Sequence, residues 1–151
     1  MIRREMRHTA CLLVGLIALT ATTSTAQGSR QYRARLSTVP IDVAMQANIA
    51  GSGSVTARLT GTTLALTGTF KDLKSSATVA HLHRGPKMGM RGPAVADLKT
   101  VSATSGTITG SVDLTAALVD DLNNGRLYIQ LHSEKAPEGN LWGWLLEGKT
   151  P

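Results

Sequence analysis

The stretch TLALTGTF at Thr63–Phe70 carries the pattern that decides the fold. Apolar and polar residues alternate along it, so Leu64 and Leu66 lie on the same face of an extended chain. Residues that favour turns and strands flank it, with few residues that favour helices. The stretch therefore predicts a β-strand with one face toward a core.

Segments of this kind recur along the chain at short intervals. Gly51–Ser54 is predicted to be a turn, Gly85–Pro93 a loop rich in glycine and proline, and 42–50 is ambiguous and may be read as a loop. The other predicted strands are 31–37, 55–60, 78–83, 94–98, 106–112, 126–132 and 140–147. Seven or eight short strands at this spacing indicate an all-β sandwich or barrel.

One segment departs from the strand pattern. Leu114, Leu118 and Leu122 recur every four residues and form one stripe on a helix. Asp113 or Thr115 can cap its start, and the Asn-Gly pair that follows suits a left-handed stop. We predict one short helix or helical turn between two strands.

The first 26 residues have the order of a secretory signal peptide. A basic start precedes an apolar run, 10–19, and small residues end at Ala26. The apolar run is shorter than the ~20 residues that span a bilayer, so no membrane span is predicted. We expect cleavage near Ala26 and a periplasmic or secreted protein, with residues 27–151 as one domain. Cys11, the only cysteine, belongs to the leader, so the domain has no disulfide.

Charge and aromatic content argue against nucleic-acid binding. The formal net charge of +6 is spread along the chain, and within the predicted domain, 27–151, only Arg30, Arg33 and Arg35 cluster. Aromatic residues are too few for a platform on which bases stack. No nucleophile–base pair or phosphate-binding loop is visible, so no catalytic residue is assigned.

Three histidines form the chemically informative set. His81 and His83 are two residues apart on a predicted strand, so both rings lie on one face. His132 ends another predicted strand, on its polar face. If the two strands are neighbours, three imidazoles converge on the outer surface of the sheet, as a copper, zinc, nickel or iron site requires. The alternative is three ordinary polar surface residues.

Two methionines and two tryptophans extend this hypothesis. Met88 and Met90 lie in the loop after His83, and a thioether is a soft ligand that selects Cu(I), although methionine also fills gaps in packing. Trp142 and Trp144 share one face of the last predicted strand. On the histidine face they could shield a bound cation or contact it through their π-faces; otherwise they cover apolar surface or contact a protein partner.

These segments resemble the CHRD (chordin-type) domain, found in chordin and in many bacterial exported proteins. The resemblance covers about residues 31–147. It is carried by AHLHRG at 80–85, GPAV at 92–95, GRLYIQLHS at 125–133 and PEGNL at 137–141. It implies a fold more directly than a function.

A second similarity is to copper/zinc superoxide dismutases. They are Greek-key barrels in which a His-x-His strand and a later strand ending in histidine supply copper ligands. The similarity implies a Greek-key β-sandwich or barrel with copper on His81, His83 and His132. No histidine lies between His83 and His132, so a bridged copper–zinc pair cannot form. Trp142 stands where the dismutases have a guiding arginine.

The sequence thus predicts an exported protein that binds one copper ion, with zinc as the other candidate metal. It is not expected to be a robust enzyme. Two alternatives stay open at this point. One is a metal-free structural or interaction module that uses the Trp142/Trp144 face, and the other is a dismutase-like redox enzyme.

Overall fold

The computed structural model describes residues 28–38 and 42–148. The predicted signal peptide, 1–26, and its cleavage site at Ala26 lie outside the described residues. No helix of the described part is long and apolar enough to cross a membrane.

Nine strands and one α-helix make up the part of the chain that the structure describes. The helix, α1, spans Ala116–Asn123, and a short 3-10 helix covers Ala44–Ala47 within the ambiguous segment. The strands are β1 (Arg30–Thr38), β2 (Ser52–Thr60), β3 (Thr63–Lys71), β4 (Ala77–Arg84), β5 (Ala94–Thr100), β6 (Gly106–Asp113), β7 (Leu127–Ser133), β8 (Ala136–Trp144) and β9 (Leu146–Glu147). The predicted all-β class with one short helix is confirmed.

Eight of these strands close into an antiparallel barrel. Their order is β2-β3-β6-β5-β4-β7-β8-β1, and β1 pairs with β2 to complete the circle. The three consecutive strands β4, β5 and β6 pair in series, and β3 returns beside β6, which is the Greek-key arrangement. Among the described residues, the short strand β9 pairs only with β1. In this order β4 and β7 are neighbours on the side of the barrel opposite β2 and β3.

The hydrophobic core fills the interior of the barrel. It is formed by every second residue of each strand, the one whose side chain points inward. Leu64 and Leu66 of the opening stretch are both buried, as predicted. They pack with inward side chains from the other strands, among them Tyr32, Leu36, Val55, Leu82, Ile108, Ile129, Leu131 and Leu141. Burial of these apolar side chains is the main favourable term for a domain without disulfides.

The predicted turn at 51–54 is wrong, because β2 already begins at Ser52. Of these four residues, Gly51 alone lies outside the strand, and its φ of +103° is one that glycine tolerates. Gly53 lies inside the strand, where a β-carbon would come within 2.4 Å of the Thr69 carbonyl oxygen. The glycine therefore allows close packing of two strands. In the sequence, a glycine with this role cannot be told from a glycine in a turn.

The C-terminal strand also differs from the predicted 140–147. It starts four residues earlier, at Ala136, which pairs with Ser133 across a tight hairpin. It ends at Trp144, and the buried Leu145 separates it from β9. The early start matters, because residues 137 and 138 then lie beside the histidines.

Helix α1 closes one end of the barrel. The Thr115 hydroxyl caps it by accepting from the Leu118 amide at 3.3 Å, and Gly125 follows it with φ of +63°. Of the two predicted caps, Thr115 is confirmed. Inside the helix the buried Asp121 carboxylate pairs with the guanidinium groups of Arg84 and Arg126, which ties α1 to the ends of β4 and β7.

Candidate metal centre

The three histidines lie together on the outer face of β4 and β7. His81 is the cross-strand partner of Gln130, and His83 is the partner of Tyr128. His132 is two residues beyond Gln130 on β7, so it is the diagonal neighbour of His81. The cluster has two causes. Side chains alternate within each strand as predicted, and β4 and β7 are paired in the sheet.

The distances show how tightly the rings gather. The centroid of the His81 ring is 5.7 Å from that of His83 and 5.1 Å from that of His132. One nitrogen of each ring can be chosen so that all lie within 4.8 Å of one another. All three residues are partly buried, in contrast to freely solvated surface histidines.

Backbone carbonyls orient two of the rings. Nδ1 of His83 lies 2.9 Å from the Gly92 carbonyl oxygen, and Nδ1 of His132 lies 2.7 Å from that of Pro137. A carbonyl can only accept, so each Nδ1 carries the proton and donates it. Each Nε2 is then unprotonated and carries the lone pair with which metal-binding histidines of this kind coordinate.

His81 differs from the other two histidines, because its Nδ1 rather than its Nε2 lies beside another ring of the cluster. Its Nδ1 is 3.3 Å from Nε2 of His132, while its Nε2 is 3.5 Å from a carboxylate oxygen of Asp97 on β5. A hydrogen bond between Nδ1 of His81 and Nε2 of His132 needs a proton on one of these two nitrogens. Both nitrogens would have to be unprotonated to bind a metal ion, and an N–H at Nε2 of His81 would then be available to Asp97.

The donor set fits a metal ion. The His83 Nε2 atom is buried and has no hydrogen-bond partner among the described residues, which is costly unless something binds there. Bonds of about 2.0–2.1 Å to one ion place two nitrogens no more than about 4.2 Å apart. The three nitrogens lie within 4.8 Å of one another, so a pair at that bound must approach by about 0.6 Å to bind one ion.

The two tryptophans lie on the same outer face as the histidines. Tyr128 stacks on His83 with centroids 4.9 Å apart, and the Trp144 and Trp142 rings lie 4.4 and 6.0 Å from Tyr128. Tyr128 is fully buried, although it points outward from the barrel. The indoles therefore cover the tyrosine that supports His83, so they border the metal centre through Tyr128.

The two methionines are exposed, Met88 by 59% and Met90 by 50%. The Met88 sulfur lies 3.7 Å from where a β-carbon on Gly125 would be, close to the start of β7. Copper coordination by Met88 or Met90 stays a prediction from sequence.

Sequence reasoning missed several residues of the centre. Asp97 was not singled out, although its place on β5 is directly opposite His81. Strand alternation puts Tyr128 and Gln130 on the same outer face as His132, yet both are buried, because the 85–93 loop and the start of β8 cover that face. The Gly92–Tyr128 hydrogen bonds, 3.1 and 3.2 Å long, hold the loop down. Loop coverage leaves no periodic signal in the sequence.

Burial favours the neutral form of two of the rings. Loss of solvation lowers the pKa of both His83 and His132 below 6.5, and the carbonyl bonds offset this in part. The neighbouring His81 and the Arg91 guanidinium lower each pKa further. Neutral imidazole is the form that binds metal, so the environment favours ligation at neutral pH.

These shifts predict how the metal-free protein responds to acid. A folded-state pKa below 6.5 means that the unfolded chain binds more protons between the two pKa values, so stability falls as pH drops below about 6.5. Chemical denaturation of the chelator-treated protein between pH 7.5 and 5 measures this. The decline should be shallower when all three histidines are replaced by alanine. Equal slopes would contradict the assignment of the effect to this cluster.

Comparison with known proteins gives one family. A family model described as the CHRD domain matches residues 32–145, which include β1 through β8 apart from the first two residues of β1. No curated protein and no solved structure matches the chain.

Proposed function

The chain belongs to the CHRD domain family, and on that premise we propose that it is an exported metal-handling protein that binds one copper ion through His81, His83 and His132. The proposed ligands are Nδ1 of His81 and Nε2 of the other two. The role is capture, storage or transfer of the ion rather than catalysis. The proposed location is the periplasm or the exterior, after cleavage near Ala26.

The observation that carries this proposal is the convergence of three oriented nitrogens on one point. Two rings are fixed by carbonyl acceptors, and the third faces a carboxylate. The buried His83 Nε2 atom has no partner among the described residues. Structural histidines normally satisfy both nitrogens when buried, so an unsatisfied ring nitrogen within a cluster of three histidines supports a ligand role.

Copper is proposed rather than zinc because of the relative affinities of the two ions for nitrogen ligands, since the geometry suits both. For a given set of nitrogen ligands, Cu²⁺ binds more tightly than Zn²⁺. Three neutral imidazoles suit either ion. The same preparation therefore has to be offered both metals in competition.

The test is a titration of protein produced from the full chain and recovered after export. We expect one Cu²⁺ per chain in the wild type and none retained when all three histidines are alanine. Thr67, Thr69 and Thr109, exposed on β3 and β6 away from the cluster, give a matched triple-alanine control that should bind normally. Intact mass of the same sample should correspond to residues 27–151.

Two outcomes would contradict the proposal. Equal copper retention by the triple-histidine variant would place the metal elsewhere. Absence of copper from the wild type, with oligomers that dissociate when Trp142 and Trp144 become alanine, would favour the interaction module instead. Superoxide removal by the copper-loaded protein would support the redox alternative.

A further inference from the structure

We propose that the metal centre is completed by a small inorganic anion held by Arg91, an inference that rests on the proposed function. The three histidines supply three neutral ligands, so a bound divalent ion would keep at least one coordination position open. Neutral ligands also leave its charge uncompensated. A monovalent anion would fill the open position and compensate half of the ion's charge.

Arg91 is placed between the two segments that orient the rings. Its Nη2 donates to the Glu138 carbonyl oxygen at 2.9 Å. Gly92, the next residue along the chain, accepts from His83, and Pro137, the residue before Glu138, accepts from His132. The guanidinium therefore spans the gap between the carbonyls that hold two of the ligands.

The charge of Arg91 is free to act on a ligand. Among the described residues no carboxylate lies within salt-bridge distance of it, whereas Arg84 and Arg126 share Asp121. One hydrogen bond to Glu138 leaves further N–H donors on its planar fork. A guanidinium and a nearby metal ion repel each other, because both are positively charged. An anion bound between them is attracted to both.

Asp97 and Glu138 are the carboxylates nearest to the cluster. Asp97 faces the outer nitrogen of His81, and its side chain is 95% exposed. The Glu138 carboxylate raises the pKa of His132, an effect smaller than the burial and carbonyl effects there. The exposed position of Asp97 weakens any compensation by it, because water screens its charge. A small anion can approach the metal ion more closely than either carboxylate side chain can.

Azide is a suitable probe, because its binding to Cu²⁺ produces a charge-transfer absorption band. We expect copper-loaded wild type to bind azide and Arg91→Gln to bind it roughly three- to tenfold more weakly, as loss of one nearby charge predicts. Arg91→Lys should keep part of the affinity. Arg58→Gln, on β2 across the barrel, is the matched control and should not change it.

Copper content of each variant separates the two proposals. If the wild type holds no copper, the proposed function fails and this inference falls with it. If copper is held but azide does not bind, or binds equally well to Arg91→Gln, the inference alone is overturned. A difference between wild type and Arg91→Gln that shrinks as ionic strength rises would support direct attraction by the guanidinium.

Discussion

Replacement of His83 by alanine is expected to weaken copper binding by at least about 100-fold, since loss of an outer-shell partner alone typically costs 10–100-fold. His83 contributes the buried nitrogen without a partner and is stacked on Tyr128. His132→Ala should have an effect of the same order. Competition with a chelator of known affinity measures both.

A matched variant separates ligand from outer shell. Asp97→Asn removes only the carboxylate that faces His81, so a loss of about tenfold or less is expected. The metal-free His83→Ala protein should be nearly as stable as the wild type, because the substitution also removes an unsatisfied buried nitrogen. Copper affinity within a few fold of wild type in His83→Ala would show that this ring is not a ligand.

Replacement of Tyr128 by alanine is expected to lower the free energy of unfolding by about 3–5 kcal/mol, as large-to-small substitution of a buried aromatic does. Tyr128 is fully buried between His83, Trp142 and Trp144. The cavity would remove the support of His83, so copper affinity should fall as well. Denaturant unfolding of the metal-free protein measures the stability change.

Tyr128→Phe is the matched control. It keeps the ring and removes only the hydroxyl that bonds the Gly92 backbone, so a loss of about 1 kcal/mol is expected. Its copper affinity should stay close to that of the wild type. If Tyr128→Ala unfolds as easily as Tyr128→Phe, the outward aromatic layer does not contribute to the fold as proposed.

The sequence predicted the strand-rich class because its signal is local. Alternation within a strand follows from covalent geometry, so the shared face of His81 and His83, and the burial of Leu64 and Leu66, could be read without a structure. A glycine can mark either a turn or a close contact between strands. The predicted start of β2 was therefore wrong at Gly53, whose role depends on the neighbouring strand.

The outer layer around the histidines was not predictable in the same way. The fully buried Tyr128 and Gln130 have the alternation of solvent-facing residues, and only the fold of the 85–93 loop and the early start of β8 cover them. The carbonyls of Gly92 and Pro137 carry no side-chain signature at all. Such contacts join parts of the chain that no periodicity relates.

By itself, the amino-acid sequence determined which residues face the core and that His81 and His83 share a side, because one strand fixes both through its period of two residues. Only the tertiary structure decided that β7 lies beside β4, about fifty residues away along the chain, so that His132 meets the pair. The physical reason is that strand pairing at this separation is selected by barrel closure and core packing, which are properties of all the strands together.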